Sequence, residues 1–323
     1  MRKVNFLILV IVLFFVLLVF LYFSLFNVGK DVMTEGEVLN VQSVIGNEFK
    51  ENQVTPWAHD VMGIQQSSKK EISRMIKIAI IDSGINKNHE DLLEKVVGEF
   101  NAINPKEPIT DEFGHGTAIA GIIAANDNAY GIIGISQNVE LYDVKVLNDE
   151  GKGDVEHFIN AIEWCIEQEV DIINVSFGFQ AENLDLKNAI DKANDKGIII
   201  VAAAGNTYGF GVDYPARYEN VLSITSIRED LKRASSAAKG KIDFAAPGVD
   251  IISTDKDGGY SLFTGTSFAT AYATGFIARL LEEKDLTRDE LMNVLKELAV
   301  DLGVEGYDRE YGYGLLKMKN EVE

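Results

Sequence analysis

The stretch IKIAIIDSGI, residues 76–85, is apolar on nearly every residue and then stops at a carboxylate, Asp82, followed by Ser83 and Gly84. A strand covered on both faces reads this way, because neither side of it meets water. The same pattern recurs in VELYDVKVL (139–147), VDIINVSF (170–177), GIIIVAAAG (197–205) and VLSITSI (221–227). Segments of helical length lie among and after these runs, at 154–168, 184–196, 267–283 and 287–298. Buried strands alternating with amphipathic helices predict an α/β fold, with a mainly parallel central sheet and helices on both faces. Two helix starts are marked in the sequence. Asp154 precedes an apolar-periodic stretch, and in LTRDEL the cap residue Thr287 has Glu290 three residues later.

The 323 residues, 46% of them apolar, suffice for one large core, and no internal repeat is visible. Fifty acidic residues against thirty basic ones give a formal net charge of −20. That balance argues against a nucleic-acid surface built on phosphate neutralisation. It leaves two readings, plain solubility or the steering of cationic peptides. The single cysteine, Cys165, excludes an internal disulfide framework and a multi-cysteine metal site. It shares a helical face with Ala161, Ile162 and Ile166 and reads as a buried structural thiol.

At the N-terminus, Arg2 and Lys3 precede an uncharged apolar run over residues 6–23. The run is long enough to span a membrane as a helix, and no A-x-A-like cleavage site follows it, which favours a retained anchor over the alternative of a cleaved signal peptide. The expected organisation is a transmembrane signal anchor over 1–29, a polar juxtamembrane linker over 30–51 and a catalytic domain over 52–323. The basic end would be cytoplasmic and the remainder would lie outside the cell membrane.

Three segments carry candidate chemistry. Asp82 ends a buried strand, at the edge where open α/β sheets bind ligands. His115 stands between two glycines in DEFGHGTAIAGIIAA, and Ser267 opens the helix of FTGTSFATAYATG. A histidine that removes a hydroxyl proton, with a carboxylate fixing its tautomer, makes such a serine a nucleophile. Asn206 closes IIIVAAAGN at another strand end. With the Ser267 backbone N–H it would supply two donors to a developing oxyanion. Taken singly, each residue has a plainer use as a turn residue, a loop histidine or a helix cap. Their joint occurrence among Gly, Ser and Thr favours the chemical reading.

The motifs IDSG, GHGT, NVSFG, AAAGN and GTSFAT, in this order, resemble those of the subtilisin-like serine proteases, the subtilases. The likeness runs from about Gln53 to YGYGLL near Leu316. It includes the type of subtilase that removes leaders from lantibiotic precursors. The order Asp, His, Ser separates this chain from α/β-hydrolases, which run Ser, Asp, His on a G-x-S-x-G elbow, and so disfavours a lipase or esterase.

The resemblance implies a three-layer serine endopeptidase domain with Ser267 as nucleophile, His115 as general base, Asp82 as its partner and Asn206 in the oxyanion hole. It makes Ser176, Phe177 and Gly178 an edge strand for substrate backbone, with Gly151 and Gly153 opposite. Phe177 and Val155 would line an apolar pocket or else pack in the core. Ala203, Gly205 and Asp213 would shape the pocket for the residue before the cleaved bond, and a carboxylate there favours Arg or Lys. A structural Ca²⁺ would draw oxygen ligands from Gln53, Asp91, Asn128 and the carbonyls of Tyr130 and Ile132.

Relatives commonly carry His and Pro where this chain has Ala118 and Ala271, positions that supply no proton or charge. The linker is too short for a folded prodomain of the usual kind. The partners implied are a peptide or protein substrate and the membrane, and no nucleic acid. Two other readings stay open: a broad-specificity surface protease and a non-catalytic peptide-binding module.

Overall fold

Side chains along β2 (Ile76–Asp82) are committed alternately to two cores. Ile76, Ile78 and Ile80 join one cluster with Ile119, Phe244 and Tyr272, while Ala79 and Ile81 join another with Phe158 and Ile173. The strand is therefore apolar on successive residues because the sheet is covered twice. The computed structural model describes residues 37–39, 52–65 and 74–319.

Around β2 the chain adds β3 (Val96–Asn101), α2 (His115–Ala124), β4 (Val139–Lys145), α3 (Val155–Glu167), β5 (Ile172–Val175), α4 (Leu184–Asp195) and β6 (Ile199–Ala203). These follow β1 (Glu37–Leu39) and α1 (Trp57–Val61). Next come β7 (Leu222–Ile227), β8 (Phe244–Pro247), β9 (Ile251–Thr254), β10 (Tyr260–Thr264), α5 (Thr266–Glu283), α6 (Arg288–Leu298), β11 (Ala299–Val300) and β12 (Leu315–Leu316).

The main sheet runs β11-β12-β8-β7-β6-β5-β2-β4-β3, parallel throughout except for the β11–β12 pair. α1, α2 and α5 pack on the first core, and α3 and α4 on the second. This is the three-layer α/β arrangement that the strand pattern requires.

The four predicted helices are present, with ends within one residue of the expected spans. Asp154 caps α3 by accepting the Glu156 N–H at 2.8 Å. Thr287 and Glu290 form the reciprocal capping box of α6. His115 is itself the first residue of α2 rather than a loop residue ahead of it. Cys165 is fully buried, and that burial pushes its thiol pKa up.

The sequence pattern missed β3, an edge strand whose residues before Asn101 are all at least partly exposed, and the β9–β10 hairpin. Within the segment read as a linker, residues 37–39 pair antiparallel with β10. The rest of 30–51 and the proposed anchor over 1–29 lie outside the described residues. Among the described residues, no helix is long and apolar enough to cross a membrane.

Candidate active site

Asp82 ends β2 between β4 and β5, where the order of strands reverses direction along the sheet. Such a switch point leaves a crevice beyond the carboxyl ends of the strands. Asp82 Oδ1 accepts the Ser83 backbone N–H at 2.8 Å, and His115 Nδ1 stands 2.8 and 3.0 Å from the two carboxylate oxygens. Both side chains are buried. Burial alone would lower the His115 pKa. The charge and hydrogen bond of Asp82, with Asp111 beyond, outweigh it, so the pKa lies above the ordinary value. Gly116 is required by close approach, since a Cβ there would sit 2.2 Å from the Gly84 carbonyl oxygen.

Asp111, which the sequence reading did not single out, ties these parts together. Its Oδ1 accepts from Ser83 Oγ at 2.8 Å and from the Gly114 N–H at 2.7 Å. Its Oδ2 accepts from the Thr117 N–H at 3.0 Å and from Thr117 Oγ1 at 2.5 Å. The only sequence signal was an acid placed a few residues before a helix start. Lys145 completes the support by donating to the Thr110 carbonyl at 3.0 Å and to the Ser83 carbonyl.

Ser267 is the second residue of α5, so its backbone N–H is among the helix's unpaired first donors. Its hydroxyl donates to the Ser176 carbonyl at 2.7 Å. A hydroxyl has one proton, so this donation must be exchanged for one to His115 before the oxygen is activated. The ring of Phe268, the next residue, lies 5.4 Å from the His115 ring. Asn206 Oδ1 accepts from the Thr266 N–H at 3.2 Å, which fixes the amide and turns its Nδ2 end toward Gly265. Thr266 was not anticipated in this role.

A cavity of about 530 Å³ opens beside Ser267. Ser176, Phe177 and Gly178 line one side, and Ala203, Gly205 and Asn206 another, with Asp213 between them. A Cβ on Gly205 would stand 2.3 Å from Asp213 Oδ2, and one on Gly178 would stand 2.7 Å from Asp213 Cβ. Both glycines therefore make room for the carboxylate. Arg217 also lines the cavity, its Nε donating to the Val212 carbonyl at 2.6 Å and its guanidinium lying 4.8 Å over the Tyr214 ring.

Ser176 to Gly178 do not form the expected edge strand. β5, flanked by β2 and β6, ends at Val175, and the three residues leave its carboxyl end as an irregular segment. Phe177 is buried against Phe158 and Phe179 at ring distances of 5.0 and 6.1 Å, so it packs in the core while bordering the cavity. Val155 is partly buried against the same core. Gly151 and Gly153 sit in the turn after β4, where Gly153 bridges to Leu147, and neither lines the cavity.

The residues expected to bind calcium converge away from the cavity. Gln53 Nε2 donates to the Asn126 carbonyl at 2.7 Å, the Ile132 carbonyl at 3.2 Å and Asn128 Oδ1 at 3.4 Å. Asp91 accepts from Asn128 Nδ2 and the Ile132 N–H at 2.9 Å each and from the Tyr260 hydroxyl at 2.8 Å. Three oxygens thus surround one electropositive nitrogen, a donor set that suits a hard cation once the Gln53 amide turns over. Tyr130 donates its N–H to Asn128 Oδ1 at 3.3 Å, and the Asn126 carbonyl supplies an oxygen the sequence reading did not include.

Comparison with known proteins agrees with this geometry. The Subtilase family profile matches residues 73–314. Minor extracellular protease Epr of Bacillus subtilis is 37% identical over 271 residues, covering 82% of this chain and 41% of Epr. The chain therefore spans less than half the length of that relative. Subtilisin DY of Bacillus licheniformis is 38% identical over 250 residues, covering 76% of this chain and 89% of its own. The solved structure of sphericase superposes with a TM-score of 0.75 at 28% identity, over 82% of this chain and 98% of sphericase. With a carboxylate–imidazole pair, a helix-start serine and an anchored asparagine gathered at one sheet edge, the chain belongs to the subtilase family of serine endopeptidases.

Proposed function

We propose that the protein is a membrane-anchored, extracytoplasmic serine endopeptidase that cleaves after Arg or Lys and processes peptides or their leaders. Ser267 Oγ attacks the scissile carbonyl while His115 Nε2 takes its proton. Asp82 holds the opposite nitrogen protonated and stabilises the imidazolium. The Asn206 side chain and the Ser267 N–H take the charge that develops on the carbonyl oxygen. His115 then returns the proton to the leaving amine, and water releases the acyl group by the same steps in reverse. The observation that carries this reading is the 2.8 Å His115–Asp82 contact together with Ser267 and Asn206 lining one cavity.

The basic preference rests on Asp213, whose carboxylate lies against Gly178 and Gly205 in that cavity. A guanidinium or ammonium entering there gains a charged hydrogen bond in a confined site. Membrane attachment rests on the apolar run 6–23. A Ca²⁺ held through Gln53, Asn128 and the Asn126 and Ile132 carbonyls, with Asp91 alongside, would tie the N-terminal segment to the domain.

A fluorophosphonate should label the protein, and Ser267→Ala should abolish labelling; an unlabelled protein would support a non-catalytic peptide-binding module. Profiling on a peptide library should give Arg and Lys before the bond, and Asp213→Gly should cut the Arg-to-Leu ratio of kcat/KM by about 30-fold or more. An unchanged ratio refutes the role given to Asp213.

A further inference from the structure

Tyr208 and Phe210 are 70% and 77% exposed, yet both border the cavity that holds Ser267 and Asp213. Exposed aromatic surface works against folding, and a pair of such rings beside a binding cavity calls for an explanation. The loop that carries them is held firmly. The Tyr208 N–H donates to the Ser236 carbonyl at 2.7 Å, and the Gly209 N–H to the Ala237 carbonyl at 3.0 Å. The Phe210 carbonyl accepts the Lys239 N–H at 2.9 Å. Tyr208 also adopts a φ of 54°, a left-handed conformation that a bulky side chain resists. The Tyr208 backbone is thus held in an unfavourable conformation, and both large aromatic side chains stay exposed beside the cavity instead of joining the core.

We propose that Tyr208 and Phe210 form an aromatic lip that packs on the aliphatic stem of the substrate residue preceding the cleaved bond. This rests on the reading that a peptide side chain enters this cavity, and it assigns the rim a task separate from that of Asp213. A Lys or Arg side chain reaching Asp213 must carry its methylenes past the rim, and such stems bury readily on apolar surface while the charged head stays paired. Aromatic faces also attract the cation itself. The lip therefore selects for length and apolar character, and Asp213 selects for charge.

The two contributions separate on three peptides that differ only at this residue: arginine, norleucine and alanine. Norleucine supplies a stem without charge. The Tyr208→Ser/Phe210→Ser double variant should lower the norleucine-to-alanine ratio of kcat/KM at least about tenfold. It should lower the arginine-to-alanine ratio similarly. Asp213→Asn should lower arginine alone, leaving the norleucine-to-alanine ratio where it was.

Both rings are exposed, so truncating them removes little core, and a thermal melt checks that each variant is folded. The single Phe210→Ser change, at the more exposed ring, provides a second reading in the same direction. A norleucine-to-alanine ratio unchanged within twofold in the folded double variant overturns the lip, as does a wild-type enzyme with no preference for norleucine over alanine. A wild-type enzyme that prefers norleucine to alanine but does not prefer arginine to norleucine overturns the Asp213 reading and leaves the lip standing.

Discussion

The proton on His115 is held chiefly by its contact with Asp82. Burial opposes the charged imidazole, and Asp82 at 2.8 Å, with Asp111 beyond, more than restores it, so the group titrates above its usual range. Catalysis needs the neutral ring, so kcat/KM should rise with pH through that raised pKa. In Asp82→Asn the limb should move to lower pH, because the main charge that favoured the imidazolium is gone and burial is opposed only by the more distant Asp111. The rate should also fall by roughly 10⁴-fold, since the amide favours the wrong tautomer. A pH–rate profile of both proteins checks each point. Asn206→Ala removes one oxyanion donor and should cost about 10²–10³ in kcat with little change in KM. A loss confined to KM would show that Asn206 binds ground state and transition state equally.

At the scale of elements, two buried groups set opposite pH limits on stability. His59 on α1 is buried with its ring 6.2 Å from that of Tyr272 on α5. Neither ring nitrogen, nor the Tyr272 hydroxyl, has a hydrogen-bond partner among the described residues. Burial, aided by the nearby Arg279 charge, lowers the His59 pKa to about 4. The unfolded chain therefore binds the extra proton first. Stability is full above about pH 6.5 and falls as pH drops toward 4, by up to about 3 kcal/mol. His59→Leu should remove that loss.

Asp143 on β4 behaves in the reverse sense. Its Oδ2 accepts the Ile85 N–H at 3.0 Å, its Oδ1 has no partner among the described residues, and burial raises its pKa well above the ordinary value. A raised carboxyl contributes stability below about pH 3.8 that is lost as pH rises toward the folded value. Asp143→Asn should therefore gain stability at neutral pH and lose that advantage in acid. Denaturant melts at pH 5 and pH 8 distinguish the two variants by sign.

For the whole molecule, the convergence of Gln53, Asp91, Asn128 and Ile132 joins the first described segment after residue 51 to the loop following α2. If Ca²⁺ binds there, it stabilises the folded state by mass action. Chelation should then lower Tm, and added Ca²⁺ should restore it. Asn128→Ala should blunt both responses, and a Tm indifferent to chelator and to Ca²⁺ counts against the site.

The sequence alone determined the sheet class, because a strand covered on both faces must be apolar on successive residues, as in 76–82. It also located Asp82, His115, Asn206 and Ser267, since each stands near the end of a strand or at the start of a helix, where the local pattern breaks. Local pattern carries no information about what lies across the sheet. The resemblance made Ser176 to Gly178 an edge strand, yet β5 is interior and ends before them. Asp111 looked like one acid among 50 until folding brought Ser83, Gly114 and Thr117 around it. Asp213 against two glycines, and Tyr208 and Phe210 at one rim, likewise depend on contacts between separate loops. Chain periodicity records which residues avoid water, whereas the partner of each polar group is chosen by packing between segments far apart in sequence.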